Sequence, residues 1–160
     1  MDDLNILLKT VEEKLLSKNC MLITVESCTG GGLAAAVTSR AGSSRWFDRS
    51  WITYSNQAKS EMVNVPMSLI EDKGAVSKEV AMSMTAGALQ NTLGDRLAVS
   101  ITGIAGPDGG SARKPVGTVF MSWQTRSQVV VKKFNFAGDR GNIRALAIES
   151  ALLGILEINP

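Results

Sequence analysis

Short apolar, β-branched runs alternate with amphipathic helical stretches along most of this chain, and two strand-like runs then follow each other directly. Leu4, Leu7, Leu8, Val11, Leu15 and Leu16 recur at helical spacing, so residues 3–18 are predicted as an amphipathic helix. MLITVE at 21–26 reads as a strand, SCTGGG as a turn, and LAAAVTSR as a helix. WITY at 51–54 reads as a second strand, followed by a helix through SNQAKSEMV with Ser55 or Asn56 as its N-cap. Pro66 begins a short helical piece ending near Gly74. Ser77 opens a helix running to about Leu93, with Gly94 as its stop. LAVSIT at 97–102 has the pattern of a buried strand. VGTVFMSWQ and QVVVKKFNF read as an antiparallel pair turning near Arg126–Ser127. Asp139 opens a last helix through about Leu156. Early alternation with a late hairpin specifies a three-layer α/β/α sandwich with a mixed β-sheet. With 160 residues, 44% of them hydrophobic, the chain is expected to be one domain spanning 1–160 with a core of its own. Met62, Met67, Met82 and Met84 are either interface residues or, the commoner role for a Met, packed in that core.

Several chemistries are excluded by what the chain lacks. It has no histidine, so a Ser-His-Asp triad, a Cys-His dyad and a His-based zinc site are ruled out within one chain. Cys20 and Cys28 are too few for a disulfide scaffold and do not form a CxxC metal pair. The net charge is +2, and the 17 Lys and Arg are scattered with no basic stripe. A small anionic ligand is therefore expected as partner, and nucleic acid is not. The start, MDDLNILLKT, lacks the basic and apolar regions of a signal peptide. No apolar run approaches the ~20 residues that span a bilayer. The expected location is the cytoplasm, with no membrane partner.

Four stretches carry residues suited to chemistry. Ser27 follows a strand and precedes Cys28, Thr29, Gly30, Gly31 and Gly32, which places it at the sheet edge where open α/β folds bind ligands. Glycine costs a helix roughly 1 kcal/mol relative to Ala. Either bare N–H groups there hold an oxyanion or phosphate, or Ser27 or Thr29 is an N-cap and the glycines make a tight turn. Cys28 is a rival nucleophile, but a buried small hydrophobe is the commoner fate of a free Cys. If Asn56 caps its helix, Lys59 is the third helical residue, where the macrodipole opposes its charge and favours a neutral base; the alternative is a solvated lysine. The loop from Thr102 through Gly103, Gly106, Pro107, Asp108, Gly109 and Gly110 matches neither a Walker A loop nor a dinucleotide fingerprint. It is either shaped around a ligand or a series of structural turns. Arg140 and Arg144, four apart behind Asp139, make a fork suited to phosphate or carboxylate, or are two solvated arginines.

In series, VESCTGGG, FDRSWITYSNQAK, GAVSKEVA, TGIAGPDGGSARKPVGTV and FAGDRGNIR resemble the CinA C-terminal domain family, which includes nicotinamide-mononucleotide deamidases. The CinA amino-terminal domain has no counterpart here, so the resemblance is to a stand-alone form. It implies a three-layer α/β/α fold and hydrolysis of the carboxamide of nicotinamide mononucleotide to nicotinate mononucleotide and ammonia. It implies Ser27 as nucleophile, Lys59 as its base and Tyr54 as a proton relay to the leaving ammonia. Thr29, Gly30, Gly31, Asn56, Thr102, Gly103, Gly106, Gly109, Gly110, Arg140 and Arg144 are the substrate contacts it implies. No metal and no other cofactor is implied, and the partners are a small nucleotide substrate and further copies of the chain in a homo-oligomer. Family members usually carry Gly where this chain has Ser50, and a Cβ there is expected to narrow the approach to Tyr54. A nucleotide-binding module without turnover, a serine amidase for another small amide and a purely structural domain are the competing readings.

Overall fold

The structure is a computed structural model that describes residues 3–160; Met1 and Asp2, at the head of the acidic start, lie outside the described residues. Its elements run α1 (Asp3–Ser17), β1 (Met21–Glu26), α2 (Gly32–Thr38), β2 (Phe47–Ile52), α3 (Asn56–Val63), α4 (Met67–Lys73), α5 (Lys78–Gln90), β3 (Arg96–Gly103), β4 (Thr118–Gln124), β5 (Val129–Asn135) and α6 (Arg140–Glu157). A short 3₁₀ turn at Ser43–Arg45 precedes β2.

The five strands form one mixed sheet in the order β2-β1-β3-β4-β5. β1 pairs parallel with β2 and β3, while β3–β4 and β4–β5 are antiparallel. Two apolar layers follow from the alternation of side chains along the strands. Leu22, Leu97, Val99 and Ile101 face α1, α2 and α6, where they meet Leu8, Leu15, Leu33 and Leu152. Ile23, Val25 and Ala98 face α3, α4 and α5, where they meet Val63, Ile70, Val80 and Met84. The sandwich is therefore three layers deep. The chain leaves β1 for β2 on one side and comes back to β3 on the other. The crevice past the carboxyl ends of β1 and β3 is thus a topological switch point, the usual ligand position in such sheets.

Close approach of α3 to α5 depends on Gly87, where a Cβ would lie 1.6 Å from the carbonyl oxygen of Val63. That contact sets the height of α3, which carries Lys59.

Four expectations change. The second strand starts at Phe47 and ends at Ile52, so Thr53 and Tyr54 belong to the turn before α3. β2 is an edge strand, which tolerates Asp48 and Arg49 and so lacks an apolar run at its start; Asp48 pairs with Arg96 at 2.9 Å. Helix α5 stops at Gln90, and Leu93 is 86% exposed, so it extends no core face. Met84 is buried, but Met62, Met67 and Met82 are exposed. Ser50 also differs from expectation: its Oγ accepts from Thr24 Oγ1 at 2.7 Å inside the β1–β2 pair, and it does not line the crevice at Tyr54.

Candidate active site

The end of β1 carries the first functional side chain. The N–H of Ser27 still donates to Ile101 O of β3, and the chain then turns, with the Gly30 N–H donating back to Ser27 O. Gly30 and Gly31 have φ of +58° and +95°, left-handed values that favour glycine. A Cβ on Gly32 would come within 2.8 Å of Ile148 Cδ1, so α2 packs closely against α6 at this point. The three glycines are thus explained by turn geometry and helix packing.

A residue absent from the sequence-based expectations organises this turn. Glu26 is fully buried, and its Oε2 accepts from Thr29 Oγ1 at 2.7 Å and from the N–H groups of Gly31 and Leu33, each at 3.0 Å. Its Oε1 accepts from Ala34 N at 2.8 Å. The carboxylate thereby occupies the amino terminus of α2, where amide N–H groups and the helix dipole favour an anion. This corrects the oxyanion cradle expected at Thr29, Gly30 and Gly31. The Thr29 hydroxyl and the N–H groups of Gly30 and Gly31 are committed inside the protein, and none of the three residues lines the crevice. The N–H groups of Cys28 and Thr29 donate to no backbone carbonyl among the described residues.

Lys59 arrives from the other side of the crevice. Ser55 caps α3, its Oγ accepting from Ala58 N at 3.0 Å, so Lys59 is the fourth helical residue and not the third. The side chain is 1% exposed. Its Nζ lies 3.1 Å from Ser27 Oγ, 2.9 Å from Thr53 O and 3.4 Å from Tyr54 O. Burial is the main influence on the amine and holds its pKa below the ordinary value; the nearby Cys28 sulfur opposes this weakly. In this arrangement Nζ donates to Ser27 Oγ and to both carbonyls, and burial shifts the amine toward the neutral form that could accept the serine proton. Burial is what favours a neutral base here.

Ser27 and Lys59 lie at a pocket of about 280 Å³ that Tyr54, Asn56, Thr102, Gly103, Gly106, Gly109 and Arg140 also line. Thr102 donates its hydroxyl to Ala75 O at 2.8 Å and keeps its acceptor lone pairs. Gly103 is required where β3 and β4 meet, since a Cβ would sit 2.6 Å from Val119 Cγ2. Arg140 spans the rim: Nη1 donates to Gly106 O at 2.7 Å and Nη2 to Tyr54 Oη at 3.1 Å. Tyr54 is 60% exposed, and among the described residues its hydroxyl bonds to Arg140 alone. Among the described residues that hydroxyl makes no hydrogen bond to Lys59, which the tyrosine meets through its carbonyl at 3.4 Å.

Two further expectations are corrected. Gly110 lies outside this pocket and lines a shallow hollow behind the 107–116 loop. Arg144 does not enter it either: Nε donates to Cys28 O at 3.2 Å and Nη2 to Thr29 O at 3.0 Å. Asp108, Ile104, Ala105, Ala75 and Val76 line the pocket without having been singled out. Asp108 was visible as an acid inside a glycine-rich loop, and Glu26 as an acid closing an apolar strand. Cys28 also lines the pocket, but burial pushes its thiol up to about 11, so it stays protonated at neutral pH.

The CinA C-terminal domain family matches residues 4–158. A nicotinamide-nucleotide amidohydrolase PncC of Pseudomonas putida is 44% identical over 158 residues, 99% of this chain and 98% of that protein. A CinA-like protein of Geotalea daltonii is 51% identical over 131 residues, 82% of this chain but 32% of that longer relative. The chain thus spans nearly all of the first and about a third of the second. The crystal structure of competence/damage inducible protein CihA from Agrobacterium tumefaciens superposes with a TM-score of 0.95 at 37% identity, covering 100% of this chain and 98% of that one.

Proposed function

Because the chain belongs to the CinA C-terminal domain family, we propose that it is an amidohydrolase that converts nicotinamide mononucleotide and water to nicotinate mononucleotide and ammonia. The observation that carries this reading is the buried Lys59 amine 3.1 Å from Ser27 Oγ, at the wall of one pocket. Lys59 takes the Ser27 proton as Oγ attacks the amide carbon, and the tetrahedral intermediate forms. The ammonium of Lys59 then gives that proton to the leaving nitrogen, ammonia departs, and an ester on Ser27 remains. Water, deprotonated by the same amine, attacks the ester; the acid leaves as Lys59 returns that proton to Ser27 Oγ. The Cys28 N–H, which follows the nucleophile and donates to no other residue among the described ones, is assigned to the oxyanion.

The rest of the pocket suits this substrate. The substrate carries a cationic pyridinium and an anionic phosphate, and the pocket offers Asp108 and Arg140 as complements. Lacking a basic groove, it does not suit a polymer. A substrate panel tests the reading. Ammonia release is measured with nicotinamide mononucleotide, its riboside and free nicotinamide. The mononucleotide is expected to be turned over with the highest kcat/KM. Binding without ammonia release would instead make the chain a nucleotide-binding module, and preference for an unrelated amide would replace the substrate.

A further inference from the structure

We infer that Glu26 and Arg144 are positioning residues that hold Ser27 against Lys59 from outside the pocket, an inference that rests on the amidohydrolase reading for its kinetic consequence. The turn that carries Ser27 is short, glycine-rich and left-handed at Gly30 and Gly31, so its own sequence gives it little stiffness. Two charged side chains supply what the turn lacks. From beneath, the Glu26 carboxylate collects four donors: Thr29 Oγ1 and the N–H groups of Gly31, Leu33 and Ala34. From α6, the Arg144 guanidinium donates to Cys28 O and Thr29 O, the two carbonyls that follow the nucleophile.

The two braces are complementary. One satisfies N–H groups, the other satisfies C=O groups, and between them they fix both ends of the 28–34 segment. Neither side chain lines the pocket. Among the described residues neither has an ion-pair partner, and each charge is spent on hydrogen bonds within this segment, all but the Thr29 hydroxyl from backbone groups. With Glu26 seated at the start of α2, no substrate anion can use those amides. A shift of about 1 Å in a reacting group costs on the order of 10²-fold in rate, so loosening this segment acts on turnover and leaves ligand contacts intact.

The test separates positioning from binding. Arg144→Met and Glu26→Gln are expected to lower kcat about 10-fold or more while KM for nicotinamide mononucleotide stays within about 2-fold. Arg144→Lys, which keeps one donor, is expected to recover part of the loss. Hydrogen exchange on the free protein supplies a readout independent of substrate. Amides at the start of α2 are expected to exchange about 10-fold faster in both variants, with α5 unchanged. A large rise in KM at unchanged kcat would make Arg144 a substrate ligand and overturn the inference, as would unchanged exchange at α2. If Glu26→Gln does not fold, the Arg144 pair decides alone. If wild type releases no ammonia, the amidohydrolase reading fails, and the exchange data still decide whether the braces exist.

Discussion

Replacing Lys59 by Met should separate activity from stability. The methionine keeps most of the apolar stem that α3 buries and removes the amine. On the stability side, Thr53 O loses its 2.9 Å donor inside a buried turn, a cost of about 1–3 kcal/mol for an unpaired buried carbonyl. Against this, the fold no longer carries an amine whose charged form burial disfavours. The two effects oppose each other, so the net change should stay within about 2 kcal/mol, or about 4–8 °C in Tm for a chain of this size. On the activity side, the general base is gone, and kcat should fall about 10²–10⁴-fold. The pH dependence has a definite sign. The folded pKa of Lys59 lies below its unfolded value, so the cost of burying the charge is fully present below the folded pKa. That cost is relieved as pH rises from the folded pKa to the unfolded one. Denaturant unfolding at a series of alkaline pH values should show wild type gaining stability relative to Lys59→Met through that window. Likewise, wild-type kcat/KM should rise with pH through the folded pKa. A Lys59→Met variant retaining more than a tenth of wild-type kcat, or a stability difference that is flat or falls with pH, would refute the argument.

Other outcomes follow from the same geometry. Cys28→Ala should keep most of the activity, and iodoacetamide at pH 7.5 should leave native Cys28 unmodified in a peptide map, because its thiol lies near 11. Gly87→Ala places a Cβ 1.6 Å from Val63 O and should force α3 outward, lowering Tm by about 6–12 °C and reducing kcat as Lys59 moves from Ser27. Asp108→Asn should raise KM for the pyridinium nucleotide by several-fold, read in the ammonia assay, while its effect on the reduced nucleotide, whose ring carries no charge, stays small.

Long apolar runs and their caps were readable from the chain. Ser55, Ser77 and Asp139 each accept from a backbone N–H three residues on, and those three helices start where their caps predict. The late hairpin was readable too, because Val129–Asn135 and Thr118–Gln124 are bounded by turn residues. β2 was half missed because an edge strand tolerates Asp48 and Arg49, and this erases the pattern. At the site, Ser27 and Lys59 were named from motif and spacing, and the structure brings them together. What sequence could not supply is direction. Arg140 and Arg144 lie on one face of α6, yet one turns to the rim and the other to the backbone of the Ser27 turn. The glycine turn looked like an empty anion cradle because nothing in the sequence said that Glu26 folds back into it.

Ammonia release from nicotinamide mononucleotide by wild type and by Ser27→Ala, compared at saturating substrate with both proteins folded at the assay temperature, is the most direct measurement. The account predicts a loss of at least about 10³-fold on removal of the hydroxyl. Equal rates from the two proteins would contradict it.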